Sequence, residues 1–140
     1  MKERQSASEL SRYIVDKCIA DGNPVTNMQL QKILYYIQKE FLKNGSQAFP
    51  DSIEAWAWGA VIPNVYYDFC GFGSMPISFN YSNVIELSSD DSKVINKIIE
   101  EKRSLNPWDL TDKCWEKVYN NGKGDHAIIP ISLMIHNLSF

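Results

Sequence analysis

The residues able to do covalent chemistry in this 140-residue chain are few and scattered. Cys18, Cys70 and Cys114, taken with His126 or His136, could supply a thiol nucleophile and its base. No nucleophile motif surrounds any of them, and a free cysteine is ordinarily a small buried hydrophobe. No pair of Cys or His residues has the spacing of zinc ligands. Gly71-Phe72-Gly73 lacks the further glycine and the strand-to-helix setting of a phosphate-cradling loop. Asp90, Asp91, Glu100 and Glu101 read as helix-start and solvated-face acids. The chemistry that remains is non-covalent, with no cofactor and no metal expected. Tyr35, Tyr36, Trp56, Trp58, Tyr66, Tyr67 and Trp115 are types enriched at binding hot spots, and equally types that fill a core. Trp56 and Trp58 cannot both be assigned to the core if their strand is an edge with one solvated face. Lys32 has two readings: a pair with an acid inside the fold, or a salt bridge to a partner.

Composition narrows the classes further. The length suits one domain over residues 1–140 with a single core. A net charge of −3 with scattered lysines, most of them near an acid, leaves no basic patch for nucleic-acid phosphates, so no nucleic acid is expected as a partner. The opening MKERQSASEL has no apolar run after its charges, so no secretory signal is expected there. No apolar stretch approaches the ~20 residues of a membrane span. An odd number of well-separated cysteines suits reduced thiols, and the expected location is cytoplasmic.

The elements that would position these side chains follow from periodicity and breakers. Ser6 with Glu9 forms a capping box, Leu10, Ile14 and Cys18 share the face behind it, and Asp21-Gly22-Asn23-Pro24 stops the helix. Thr26 with Gln29 opens a second helix. Its apolar stripe is Leu30, Ile33, Leu34, Ile37, Phe41 and Leu42, and it ends at Asn44-Gly45. Tyr35 and Tyr36 point about 100° apart, so both cannot sit at the centre of that stripe. The alternation from Ile53 to Trp58 predicts a strand with Ile53, Ala55 and Ala57 on one face and Glu54, Trp56 and Trp58 on the other, ended by Gly59. Pro63 can start a short helix through Val65, Tyr66 and Phe69. The segment 77–87 reads as a second extended stretch that could pair with 53–58. Ser89-Asp90-Asp91 opens a helix with Val94, Ile95, Ile98 and Ile99 as its stripe. Asn106-Pro107 opens another that carries Trp108, Thr111, Cys114, Trp115, Val118 and Tyr119, with Gly122 as its stop. After a turn at 122–125, residues 128–138 predict a last helix entered at Pro130. The expected fold is mainly α (α+β), with five to six helices and a small two- or three-stranded antiparallel sheet.

Read together, TNMQLQKILYY, EAWAWGAVIPNVYYDF and the later W-x-x-V-Y resemble the Panacea domain, the SocA-like antitoxin family common among phage-associated genes. The resemblance falls on Thr26, Leu30, Gln31, Lys32, Leu34, Tyr35, Tyr36, Phe49, Ile53, Ala55, Trp56, Gly59, Val61, Pro63, Val65 and Tyr66. Two departures stand out. Ala60 replaces the proline of the family's Gly-Pro-Val, removing a rigid φ. Thr111-Asp112-Lys113-Cys114-Trp115 lacks the histidine that usually follows the threonine, while Trp115 can keep a packing role.

The resemblance implies a non-enzymatic antitoxin. It would neutralise a cognate toxin by direct binding or by delivering it to a protease such as a AAA+ protease. The driving force would be burial of apolar and aromatic surface, at ~25 cal/mol per Å² before ordering costs. The surface around Tyr36, Trp56, Trp58 and Tyr67, with the segment 71–88, would set partner specificity. One rival is a phage or mobile-element accessory protein that binds a host protein. The other is a thiol hydrolase built on Cys114 and His126.

Overall fold

The computed structural model describes residues 5–82, 85–107, 112–121 and 126–136. Among these it holds six α-helices and one three-stranded antiparallel sheet, the mainly helical α+β class that the periodicities predict. Both predicted capping boxes form. In α1 (Ala7–Ala20) the Ser6 hydroxyl accepts from the Glu9 amide while the Glu9 carboxylate accepts from the Ser6 amide. Thr26 and Gln29 do the same for α2 (Asn27–Lys43). Each box satisfies backbone donors that a helix start leaves without partners. Gly22 follows α1 at φ +72° and Gly45 follows α2 at φ +77°, the left-handed stop their positions predict.

α2 is the axis of the domain. Its apolar stripe is buried and packs against Leu10, Ile14 and Cys18 of α1 and against Ile95, Ile98 and Ile99 of α4 (Ser89–Lys102). Ser88 caps α4 by accepting from the Asp91 amide, one residue earlier than Ser89. α3 (Pro63–Phe69) begins with proline in its first turn and buries Val65 and Phe69. A 3₁₀ turn (Cys70–Phe72) continues it.

The sheet departs from expectation. β1 covers only Glu54–Trp56, and Gly59 does not end the region but opens β2 (Gly59–Val61). The two strands form a tight hairpin in the register Glu54↔Val61, Ala55↔Ala60 and Trp56↔Gly59, leaving Ala57-Trp58 as a two-residue loop. Gly59 takes φ +124°, which side-chain-bearing residues rarely adopt, and this lets the chain reverse directly after Trp58. Gly59→Ala is therefore expected to destabilise the fold by about 1–3 kcal/mol, read as a lowered urea midpoint.

The third strand is β3 (Ala127–Ile128), which pairs with the other edge of β1. The expected pairing with 77–87 does not occur among the described residues. Backbone donors there turn elsewhere: the Ile77 amide to the Val25 carbonyl at 2.8 Å and the Tyr81 amide to Asp16 at 2.7 Å. That segment is a strap pinned to α1 and the α1–α2 turn rather than a strand. α5 (Lys113–Asn121) begins only after Asp112, whose side chain accepts from the Trp115 amide. The expected earlier part of that helix at Trp108 and Thr111, the stop at Gly122 and the turn at 122–125 lie outside the described residues. α6 is Ile131–His136, entered at Pro130 as predicted, but Ile128 belongs to β3.

Candidate functional site

α2 buries more than its apolar stripe. Asn27, Gln31, Lys32, Gln38 and Lys39 are interior as well, so a second, polar face of the same helix is enclosed. Its amides act as clamps on the surrounding backbone. The Gln31 side chain accepts from the Ile62 amide at 2.8 Å and donates to Asn27, which in turn donates to the Tyr66 carbonyl. Gln38 donates to the Phe49 carbonyl at 2.9 Å and accepts from the Ala48 amide at 2.7 Å. No described buried side-chain nitrogen or oxygen lacks a partner. The hairpin and the start of α3 are thus held at a defined distance from α2 by bonds worth about 1 kcal/mol each when made.

The centre of this polar face is Asp112. Its carboxylate accepts from the Tyr35 hydroxyl at 3.0 and 2.9 Å, from the Lys39 ammonium and from the Trp115 amide at 2.9 Å. Burial, then the Asp112 charge, pushes the Tyr35 hydroxyl far above its ordinary range. Tyr36 is half-buried against α4, with the Lys102 ammonium 4.5 Å from its ring centre and its own pKa pushed up to about 12, chiefly by burial and then by the Asp112 charge. Lys32 is 1% exposed and donates to the Ala60 carbonyl at 3.3 Å. Burial lowers its pKa to about 8 against the pull of Asp112. The position where the resemblance lacks a histidine therefore carries a carboxylate that organises the helix.

Trp56, Trp58, Tyr66 and Tyr67 come together at the corner between the hairpin and α3. Trp56 is the hub, with ring centres of Trp58, Tyr66 and Tyr67 at 5.9, 4.9 and 6.3 Å. It is only 5% exposed, its indole donating to Glu54 and its face covered by His126 at 4.0 Å. Trp115 donates its indole N–H to the Trp56 carbonyl at 2.7 Å and stacks on Tyr119, so it packs as expected. Trp58 and Tyr67 reach solvent at 38% and 63% exposure, and Tyr66 is half-buried between them and Trp56.

The expectation for the contact residues is corrected in part by these positions. Tyr35 and Trp56 are interior, enclosed by α2, the hairpin or α5, and present no surface to a partner; Lys32 is equally buried and can be reached only through the cavity that it lines beside Trp58 and Tyr66. Tyr36 is accessible but lies on the α4 side, away from the aromatic corner. Trp58, Tyr66 and Tyr67 form one continuous surface. Of the motif residues, Leu30, Gln31, Leu34, Gly59, Val61 and Val65 are buried, while Thr26 and Pro63 act as cap and helix opener. The residues missed are Asp112, Lys39, Asn27 and Gln38. Little in the sequence marked them, because Lys32 and Lys39 stand among these amides and give that side of α2 the look of a solvated face.

Cys18 and Cys114 are buried, and burial raises both thiols above the usual range, which disfavours the thiolate a nucleophile requires. Cys70 is exposed, and its thiol donates to the Tyr67 carbonyl at 3.3 Å. His126 stacks on an indole rather than addressing a sulfur. Among the described residues no group of His, Cys, Asp and Glu could hold a metal ion. No described helix is long and apolar enough to cross a membrane.

Residues 30–118, which run from the first buried leucine of α2 into α5, match the family described as "Antitoxin SocA-like, Panacea domain". Antitoxin SocA of Caulobacter vibrioides (strain NA1000 / CB15N) is 34% identical over 68 residues, covering 48% of this chain. The chain spans only 36% of the length of that curated relative. No solved structure matches. The matched span holds the Asp112 network, the hairpin and the aromatic corner, and on that match the chain belongs to the SocA-like antitoxin family that carries the Panacea domain.

Proposed function

We propose that this protein is an antitoxin that binds a cognate toxin protein in the cytoplasm and masks it, with residues 1–140 acting as one unit. The observation that carries the reading is the exposure of Trp58 and Tyr67 beside Tyr66 on a rigid corner, in a chain of this family. Aromatic side chains held by packing lose little freedom on contact, so more of their burial appears as affinity. The clamps from Gln31 and Asn27 supply that rigidity. Tyr36 lies outside this corner, and exposed Met75 and Phe79 extend the contact for a large partner.

The test is co-expression with the product of the neighbouring gene, scored by growth rescue and co-purification. Trp58→Ala with Tyr67→Ala is expected to weaken the complex at least ~30-fold, the effect of losing about 2 kcal/mol, while leaving the melting temperature near that of the parent. Unchanged rescue and co-purification would reject this surface. Toxin abundance in the rescued cells separates masking, where it is steady, from delivery to a protease, where it falls.

A further inference from the structure

A cavity of about 280 Å³ lies between α2, β2 and α3 at the aromatic corner. Met28, Val61, Trp58 and Tyr66 supply its apolar walls, and Gln31 and Lys32 its buried side. Gln31 is committed to Asn27 and to the Ile62 amide. Lys32 is not equally occupied. An ammonium has three donors, and the only hydrogen bond it makes among the described residues is the 3.3 Å contact to the Ala60 carbonyl. Charge is unbalanced too. Among the described residues, the buried ammonium groups of Lys32 and Lys39 both lie near one partly buried carboxylate, Asp112. That carboxylate already accepts from Tyr35, Lys39 and the Trp115 amide.

We propose that this cavity receives a carboxylate on a short apolar stem, a glutamate side chain of the partner polypeptide, with the Lys32 ammonium as its counter-ion. The stem would lie against the cavity walls of Trp58, Tyr66 and Met28, and the carboxylate would reach the buried side. A buried cation is costly until it is paired, and an incoming carboxylate supplies a pair that Lys32 lacks among the described residues. The same ammonium disfavours a cation, which the aromatic faces alone would otherwise attract. The volume is at the small end for a ligand pocket, suited to one side chain. A polypeptide is favoured over a free acid because Tyr67, in ring contact with Tyr66, extends the apolar surface beyond the cavity mouth. The inference rests on the toxin-binding reading only for what carries the carboxylate.

The experiment titrates three probes into the full chain: acetyl-Ala-Ala-Glu-Ala-Ala-amide, its Gln isostere, and butanoate. The readout is the indole N–H resonance of Trp58 in an ¹H–¹⁵N spectrum. The Glu peptide is expected to shift that resonance with a millimolar dissociation constant, and the Gln peptide at least tenfold more weakly. In Lys32→Met the preference is expected to disappear. Equal binding of Glu and Gln peptides, or a preference that survives in Lys32→Met, overturns the proposal. Butanoate binding as tightly as the Glu peptide overturns the polypeptide source in favour of a free acid. The Glu/Gln comparison uses the unaltered chain, so it decides even if the variant fails to fold. Loss of toxin binding in Trp58→Ala/Tyr67→Ala without any Glu preference would remove the cavity claim alone. A Glu preference with no co-purifying toxin would remove the antitoxin reading alone.

Discussion

Asp112→Ala is expected to destabilise the fold by about 3 kcal/mol, the scale of removing the carboxylate from an enclosed ion pair. The loss has three parts on one carboxylate: the Lys39 ammonium, the Tyr35 hydroxyl and the Trp115 amide at the start of α5. Tyr35 and Lys39 are almost fully enclosed, so water cannot replace the carboxylate without opening the packing of α2 against α5. Urea unfolding of Asp112→Ala, Lys39→Met and the double variant separates the parts. The double variant is expected to be more stable than Asp112→Ala alone, because the buried cation is gone. A double variant as unstable as the sum of the two singles would show that Lys39 and Asp112 do not act as a pair.

Lys32→Met is expected to move stability the other way, by about 3 kcal/mol at pH 7. Burial lowers the Lys32 pKa from 10.5 to about 8, and a difference of that size corresponds to about 3 kcal/mol of preference for the neutral form. The sign follows from proton binding. Between about pH 8 and pH 10.5 the unfolded chain holds the lysine proton more firmly than the folded one, so this group makes stability rise with pH across that window. Below pH 8 both states are protonated and the full penalty is present. Tyr35, with its folded pKa raised, acts oppositely once unfolded tyrosine begins to ionise near pH 10. The rise should therefore be measured from pH 7 to 9.5. The thiols of Cys18 and Cys114, raised by burial in the folded chain, lower stability over the same range in both proteins, so the expected reading is the difference: the gap between the urea midpoints of Lys32→Met and the parent narrows as pH rises from 7 to 9.5. A gap that does not change with pH, with no stabilisation in the variant, would show that the ammonium is not held dry.

The stabilising direction bears on function. Lys32 sits within the matched family span and beside the aromatic corner, yet the fold would be more stable without its charge. A residue of that kind is expected where a later partner makes use of it.

Local sequence determined the helices because their signals are local. Ser6 with Glu9, Thr26 with Gln29 and Pro63 each act within one turn, and the stripes from Leu30 to Leu42 and Ile95 to Ile99 read at helical spacing without reference to distant chain. The aromatic corner was legible by type but not by exposure. Trp56 and Trp58 are two residues apart on an alternating segment, and only the reversal at Gly59 together with the cover from His126 buries one and exposes the other. Tertiary structure alone decided the sheet, since β3 lies more than seventy residues beyond β1 and strand pairing at that separation leaves no mark in a short window. It also decided the polar side of α2. Lysine and glutamine at helical spacing look solvated until Asp112, Ala60 and Phe49 arrive from elsewhere in the chain to enclose them, because a buried polar group is tolerated only when distant partners satisfy it.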